Sequence, residues 1–176
     1  MEEDERGIIE RAAILRRWNV RGKHLLDLGA GPLAIIAARE FDCRVTTVDV
    51  SEVAVREARC EVEREGLSDK IIVEQADATA LPYLSGRFEV VIGFGILHHI
   101  EPLKRLRLLR EAARVASEAV ILAELNAAGF KKIHEFKDYT PVDLAWLEQA
   151  LQTFGAVESC EGRLMNVYVL SLRSLD

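Results

Sequence analysis

Hydrophobic and polar positions change period many times along the chain, and they do so in a regular alternation. Residues 8–19 carry Ile8, Ala12, Leu15 and Trp18 at helical spacing. The short apolar run His24–Leu28 then breaks at Gly29-Ala30-Gly31-Pro32, and helix-like spacing resumes from Leu33 to Glu40. Arg44–Val50 is rich in β-branched residues and predicts a second strand. Ser51 is a good N-cap, with Glu52 in the first turn, for a helix that buries Val55, Ala58 and Val62 and ends near Gly66. Ile71–Val73 predicts a third strand, and Phe88–Phe94, after a loop at Pro82, a fourth whose nearly unbroken apolar run fits burial on both faces. Pro102 opens an arginine-rich helix to about Val115, and Ala119–Leu125 forms the fifth strand.

The pattern weakens at 126–139, which reads as loop with at most one short helix. Thr140-Pro141-Val142-Asp143 combines an N-cap, a proline at N1 and an acid at N3, and so predicts a helix stopping at Gly155. Ala156–Cys160 and Asn166–Leu172 are separated by a link too short for a parallel crossover and must form a hairpin. Five β-α units followed by a hairpin predict one α/β domain, a doubly wound, mostly parallel sheet of seven strands with helices on both faces.

Composition narrows the class. The chain of 176 residues is 49% hydrophobic and 30% charged, enough to bury a core without disulfides or metal. Its cysteines, Cys43, Cys60 and Cys160, form no CxxC pair and have no histidine at zinc-ligand spacing, so they are expected as reduced, packed thiols and no metal site is expected. No apolar run is long enough to span a bilayer, and the acidic start MEEDER is unlike a signal peptide, which predicts a cytoplasmic protein with no membrane partner. A net charge of −6 argues against a broad nucleic-acid footprint. Arg107, Arg110 and Arg114 do share a helix face, but with Glu101, Glu111 and Glu118 nearby that face reads as solvated and salt-bridged. Oligomeric state is not legible.

In open α/β sheets ligands bind beyond the carboxyl ends of the strands, where the strand order reverses. The first strand ends in Asp27-Leu28-Gly29-Ala30-Gly31, whose glycines let backbone approach a ligand and whose following helix offers free N–H groups. The second ends in Asp49, where a carboxylate can accept two hydrogen bonds from a ribose diol or, more simply, cap the helix at Ser51. The third runs into Gln75-Ala76-Asp77-Ala78. Capping explains Asp49 alone; it does not explain acids closing three successive strands.

The segments LLDLGAGP, VTTVDVS, EQADATALPY, FEVVIGFGILHHI and LLREAARVASEAVILAE, in this order, resemble class I S-adenosylmethionine-dependent methyltransferases of the type 11 group. The resemblance covers about residues 24–125 by motif and the terminal hairpin by topology. It implies a Rossmann-like domain with an N-terminal helix in 1–22, a cofactor-binding core over 23–125 and a C-terminal helix and hairpin over 126–176. Asp27, Gly29, Ala30 and Gly31 would surround the methionine part of S-adenosylmethionine, Asp49 would hold the ribose and Val50 would lie against the adenine. Asp77 would take the adenine amino group with Ala78 beside it, and Gly95 would border the sulfonium. One departure is Leu33, where many relatives have a third glycine.

A sulfonium is already an activated leaving group, so the protein mainly aligns a nucleophile, with a general base needed only for a protonated acceptor. His98 and His99 are the candidates, and of the two His98 is expected to face the methyl because it comes first after the strand. Glu124 is a weaker candidate, and a salt bridge to the arginine-rich helix explains it as well. There is no NPPY-like run and no Pro-Cys pair, which points to a small-molecule methyl acceptor, with S-adenosylhomocysteine as the product, and makes nucleic acid an unlikely one. Other readings are a non-catalytic cofactor-binding partner subunit, an RNA or protein methyltransferase, and a nicotinamide oxidoreductase, the last disfavoured by Leu33 and the hairpin.

Overall fold

The computed structural model describes residues 1–134 and 139–172. It contains α1 (Arg11–Arg17), β1 (His24–Leu28), α2 (Pro32–Glu40), β2 (Arg44–Asp49), α3 (Glu52–Arg64), β3 (Ile71–Gln75), β4 (Phe88–Phe94), a 3₁₀ turn (Leu97–His99), α4 (Pro102–Val115), β5 (Ala116–Leu125), α5 (Ala127–His134), α6 (Leu144–Gln152), β6 (Ala156–Glu161) and β7 (Met165–Ser171). The seven strands form one sheet in the order β3-β2-β1-β4-β5-β7-β6. β1 pairs in parallel with both β2 and β4, so the strand order reverses there, and β7 runs antiparallel to β5 and β6. The doubly wound α/β fold and its C-terminal hairpin are as the sequence predicts, except that β3 passes to β4 with no helix between them.

Alternation along the strands divides the core between the two faces of the sheet. On β1, Leu25 packs with Leu33, Ala37 and Val55, whereas Leu26 and Leu28 pack on the other face with Leu108, Leu109 and Leu147. On β4, Phe88 and Val90 fall on opposite faces because the register with β5 shifts between them.

Several boundaries differ from the pattern, each for a tertiary reason. The first helix begins at Arg11 and not at Ile8, because the Asp4 carboxylate accepts from the N–H groups of Arg6 and Ile8 and Gly7 sits at φ +91°. The last helix starts at Leu144, capped by Asp143, which accepts from Ala145 N and Trp146 N. Thr140 and Pro141, expected as cap and first turn, instead offer their carbonyls to Arg105. Segment 126–139 contains α5, capped by Asn126, whose Oδ1 accepts from Gly129 N at 3.0 Å. Gly129 brings that helix against the hairpin turn: a Cβ there would lie 1.9 Å from the Leu164 carbonyl oxygen.

Of the thiols, Cys43 is buried and donates to the Val20 carbonyl, as a packed cysteine should, but Cys60 is exposed and Cys160 only half-buried. On α4, Arg105 is buried, and Arg114 pairs with Glu111 while donating to the carbonyls of Leu81 and Tyr83. Lys104, Arg107 and Arg110 make up the exposed part of that face. Among the described residues no helix is long and apolar enough to cross a membrane.

Candidate functional site

The carboxyl ends of β1 to β4 open into one cavity of about 620 Å³, a size suited to a nucleotide-bearing cofactor. Its wall includes Asp27, Gly29, Ala30, Gly31, Asp49, Val50, Asp77, Ala78, Gly95 and His99, which brings together every expected cofactor residue. Their arrangement follows from local backbone. Gly29 sits at φ +97° with its N–H on the Val48 carbonyl, which turns the chain sharply off β1. Gly31 is extended and is the N-cap of α2, whose first residue is Pro32. Leu33, in place of a third glycine, is buried against the core, so α2 packs through a side chain and the loop keeps its open face.

Each acid holds a different position. Asp49 accepts from Ala30 N through Oδ2 (3.1 Å) and from Ser51 N through Oδ1 (2.8 Å), tying the first loop to the second. The capping role of that end falls to Ser51, which accepts from Ala54 N. Every Asp49 oxygen thus retains acceptor capacity toward the cavity, as a ribose diol requires. Asp77 uses Oδ1 for the N–H and hydroxyl of Thr79, which hold its carboxyl below the usual range and leave Oδ2 as an acceptor. Val50 is 70% exposed and offers an uncovered apolar surface at the cavity edge.

Asp27 is the unusual one. Burial pushes its carboxyl up to about 7, against the hydrogen bond from Thr47 and the charge of Arg11, while Asp49 adds to the rise. A carboxyl that is harder to ionise in the folded state than in the unfolded chain contributes stability below its unfolded value, and that contribution is lost as pH rises through 7. Asp27→Asn, isosteric and always neutral, is expected to melt with the wild type near pH 4 and above it at pH 8. The gap opens by at most about 1.4 kcal/mol per pH unit. Parallel melting curves at all pH values would show that the Asp27 carboxyl titrates normally.

Arg11 is a wall residue that the sequence reading did not single out. Its guanidinium stacks on Phe94 at 3.9 Å from the ring centroid and faces the field of Asp27. Burial lowers the guanidinium pKa and Asp27 opposes the fall. No local motif announces it, since Arg11 and Phe94 meet only once α1 folds over β4.

The acceptor end reverses the expected order of the histidines. His98 is buried and absent from the cavity wall; its Nδ1 lies 2.6 Å from Glu124 Oε1 and its Nε2 lies 3.0 Å from His134 Nε2. His99 is exposed and lines the cavity beside Ile96 and Ile100. Glu124 forms no salt bridge with the arginine-rich helix; it is buried and accepts from Leu97 N, Leu125 N and His98. Gly95, at φ +67°, touches the His98 ring edge: a Cβ there would stand 3.4 Å from Cε1. Among the described residues no group of His, Cys, Asp and Glu has the arrangement of a metal site.

Comparison with known proteins gives the family and the fold. A family model described as a methyltransferase domain matches residues 25–119. The 27-O-demethylrifamycin SV methyltransferase of Amycolatopsis mediterranei is 38% identical over 96 residues, which cover 53% of this chain and 35% of that protein. The demethylmenaquinone methyltransferase of Bacteroides fragilis is 27% identical over 135 residues, covering 74% and 55%. The chain therefore spans only part of the length of these relatives. In fold it is similar to a S-adenosylmethionine-dependent methyltransferase from Aquifex aeolicus, with a TM-score of 0.73 at 17% identity over 93% of this chain and 90% of the other.

Proposed function

As the chain belongs to the family of S-adenosylmethionine-dependent methyltransferase domains, we propose that it transfers the methyl group to a small-molecule acceptor held between His99, Ile100 and the N-terminal helix. The observation that carries this reading is that Asp27–Gly31, Asp49, Asp77, Gly95 and His99 all line one cavity. The bound cofactor supplies the methyl group on a sulfonium. Asp49 would accept the ribose hydroxyls, Asp77 Oδ2 would accept from the adenine amino group, and Val50 would cover the adenine face. Asp27, whose ionisation a neighbouring ammonium would favour, would hold the amino group of the cofactor, and Arg11 would hold its carboxylate. His99 would take the proton of an acceptor hydroxyl as the bond to carbon forms, or of an acceptor ammonium beforehand to free its lone pair, with S-adenosylhomocysteine as the leaving group. The mixed charges around the mouth, Glu101 paired with Lys104 at 3.1 Å, favour a small acceptor over a polyanion. The relatives named for rifamycin and menaquinone precursors fit that class.

Asp49→Ala tests the cofactor half directly. It removes the acceptor of two hydroxyls, so calorimetry with S-adenosylmethionine should show affinity weakened by about 1.5–3 kcal/mol, roughly ten- to a hundredfold. An unchanged Kd would confine Asp49 to holding Ala30 and Ser51. NAD is expected not to bind to either protein.

A further inference from the structure

Two buried charges seize the turn after β4 from opposite sides. Glu124 accepts the Leu97 N–H at 2.9 Å and holds His98, while Arg105 donates Nε to the carbonyls of Leu97 (3.0 Å) and Ile100 (3.2 Å). Both sides continue to the chain that leads from α5 to α6. The Arg105 guanidinium donates Nη1 to Pro141 O at 3.0 Å and Nη2 to Thr140 O at 2.6 Å. His134, the last residue of α5, meets His98 nitrogen to nitrogen. The chemistry fixes the protons of that contact. A Glu124 carboxylate can only accept, so His98 carries a proton on Nδ1; in the neutral ring its Nε2 is then a lone pair, to which His134 Nε2–H donates. His98 then has both nitrogens engaged and no capacity left for an acceptor's proton.

A three-residue 3₁₀ turn has little stability of its own, so the direction of its side chains is set by what grips it. We propose that Arg105 and His134, neither of which lines the cavity, are positioning residues for methyl transfer, pinning the Leu97–Ile100 turn to the chain before 135 and after 138 and so aiming His99 at the acceptor. This rests on the reading of His99 as the acceptor-facing imidazole. The four carbonyls explain why arginine stands at 105: a planar fork serves diverging acceptors that a lysine point charge cannot.

The protein has only four histidines, so histidine-labelled protein gives four imidazole signal sets in NMR, with His24 at the start of β1 as internal reference. In wild type, His98 should show the Nδ1–H tautomer. In Arg105→Gln and in His134→Leu the His98 and His99 resonances should shift while His24 stays, with the Kd for S-adenosylhomocysteine within about twofold of wild type, since neither residue lines the cavity. His134→Gln, which keeps a donor toward His98 Nε2, should restore the wild-type pattern, and Arg105→Lys should not. If Arg105→Gln fails to fold, His134→Leu and Arg105→Lys decide. Lower melting temperatures with unmoved His98 and His99 resonances would make both residues merely stabilising and overturn the proposal. Failure of wild type to bind S-adenosylhomocysteine would instead overturn the cofactor reading, while the ligand-free resonances still judge the positioning.

Discussion

Replacing His99 by alanine should lower turnover by about 10²–10⁴-fold, the usual loss when a general base is removed, with cofactor affinity nearly unchanged. His99 is the imidazole on the cavity wall, whereas both nitrogens of His98 are occupied by Glu124 and His134. The measurement is S-adenosylhomocysteine release against a panel of small hydroxyl and amine acceptors, read for wild type, His99→Ala and His98→Ala. Equal rates in wild type and His99→Ala would leave alignment of an unprotonated nitrogen or sulfur as the whole of catalysis. A wild type that binds the cofactor yet releases no product with any of these acceptors would favour a cofactor-binding partner subunit.

The part of the cavity wall at the ends of the first three strands was legible because it is written in local sequence. Each acid stands at the end of its own strand, and each strand announces itself by a run of apolar or β-branched residues, so Asp27, Asp49 and Asp77 could be placed before any contact was known. The acceptor half is made of contacts between distant segments. Arg105 was not singled out within the arginine-rich helix, yet it is 5% exposed and bonded to four carbonyls. That burial also explains why Thr140 and Pro141 do not begin the last helix: their carbonyls belong to Arg105. The sequence left room for one short helix in 126–139 but did not place α5, because Gly129 interrupts its period and tertiary contact fixes it, although Asn126 ahead of two alanines was an available cap signal. The choice between His98 and His99 turned on Glu124, which sequence could place at a strand end but not beneath the turn.

Gly31→Val should abolish measurable cofactor binding, a loss of at least about a hundredfold, while the protein still folds. Gly31 has an extended backbone that any residue adopts, and a Cβ there would meet nothing closer than the Gly29 carbonyl oxygen at 4.0 Å. The added isopropyl group therefore points into open cavity and occupies the volume through which the loop approaches the cofactor. Valine is a poorer N-cap than glycine, so α2 should lose about 1 kcal/mol or less. Gly29 provides the contrast, for at φ +97° any side chain strains the backbone, and Gly29→Val should lower the melting temperature as well as binding. Calorimetry with S-adenosylmethionine and thermal melting on the two variants separate space from conformation. A Gly31→Val protein that binds with wild-type affinity would show that the cofactor does not pass over this loop, and one that unfolds would show that the glycine serves the fold.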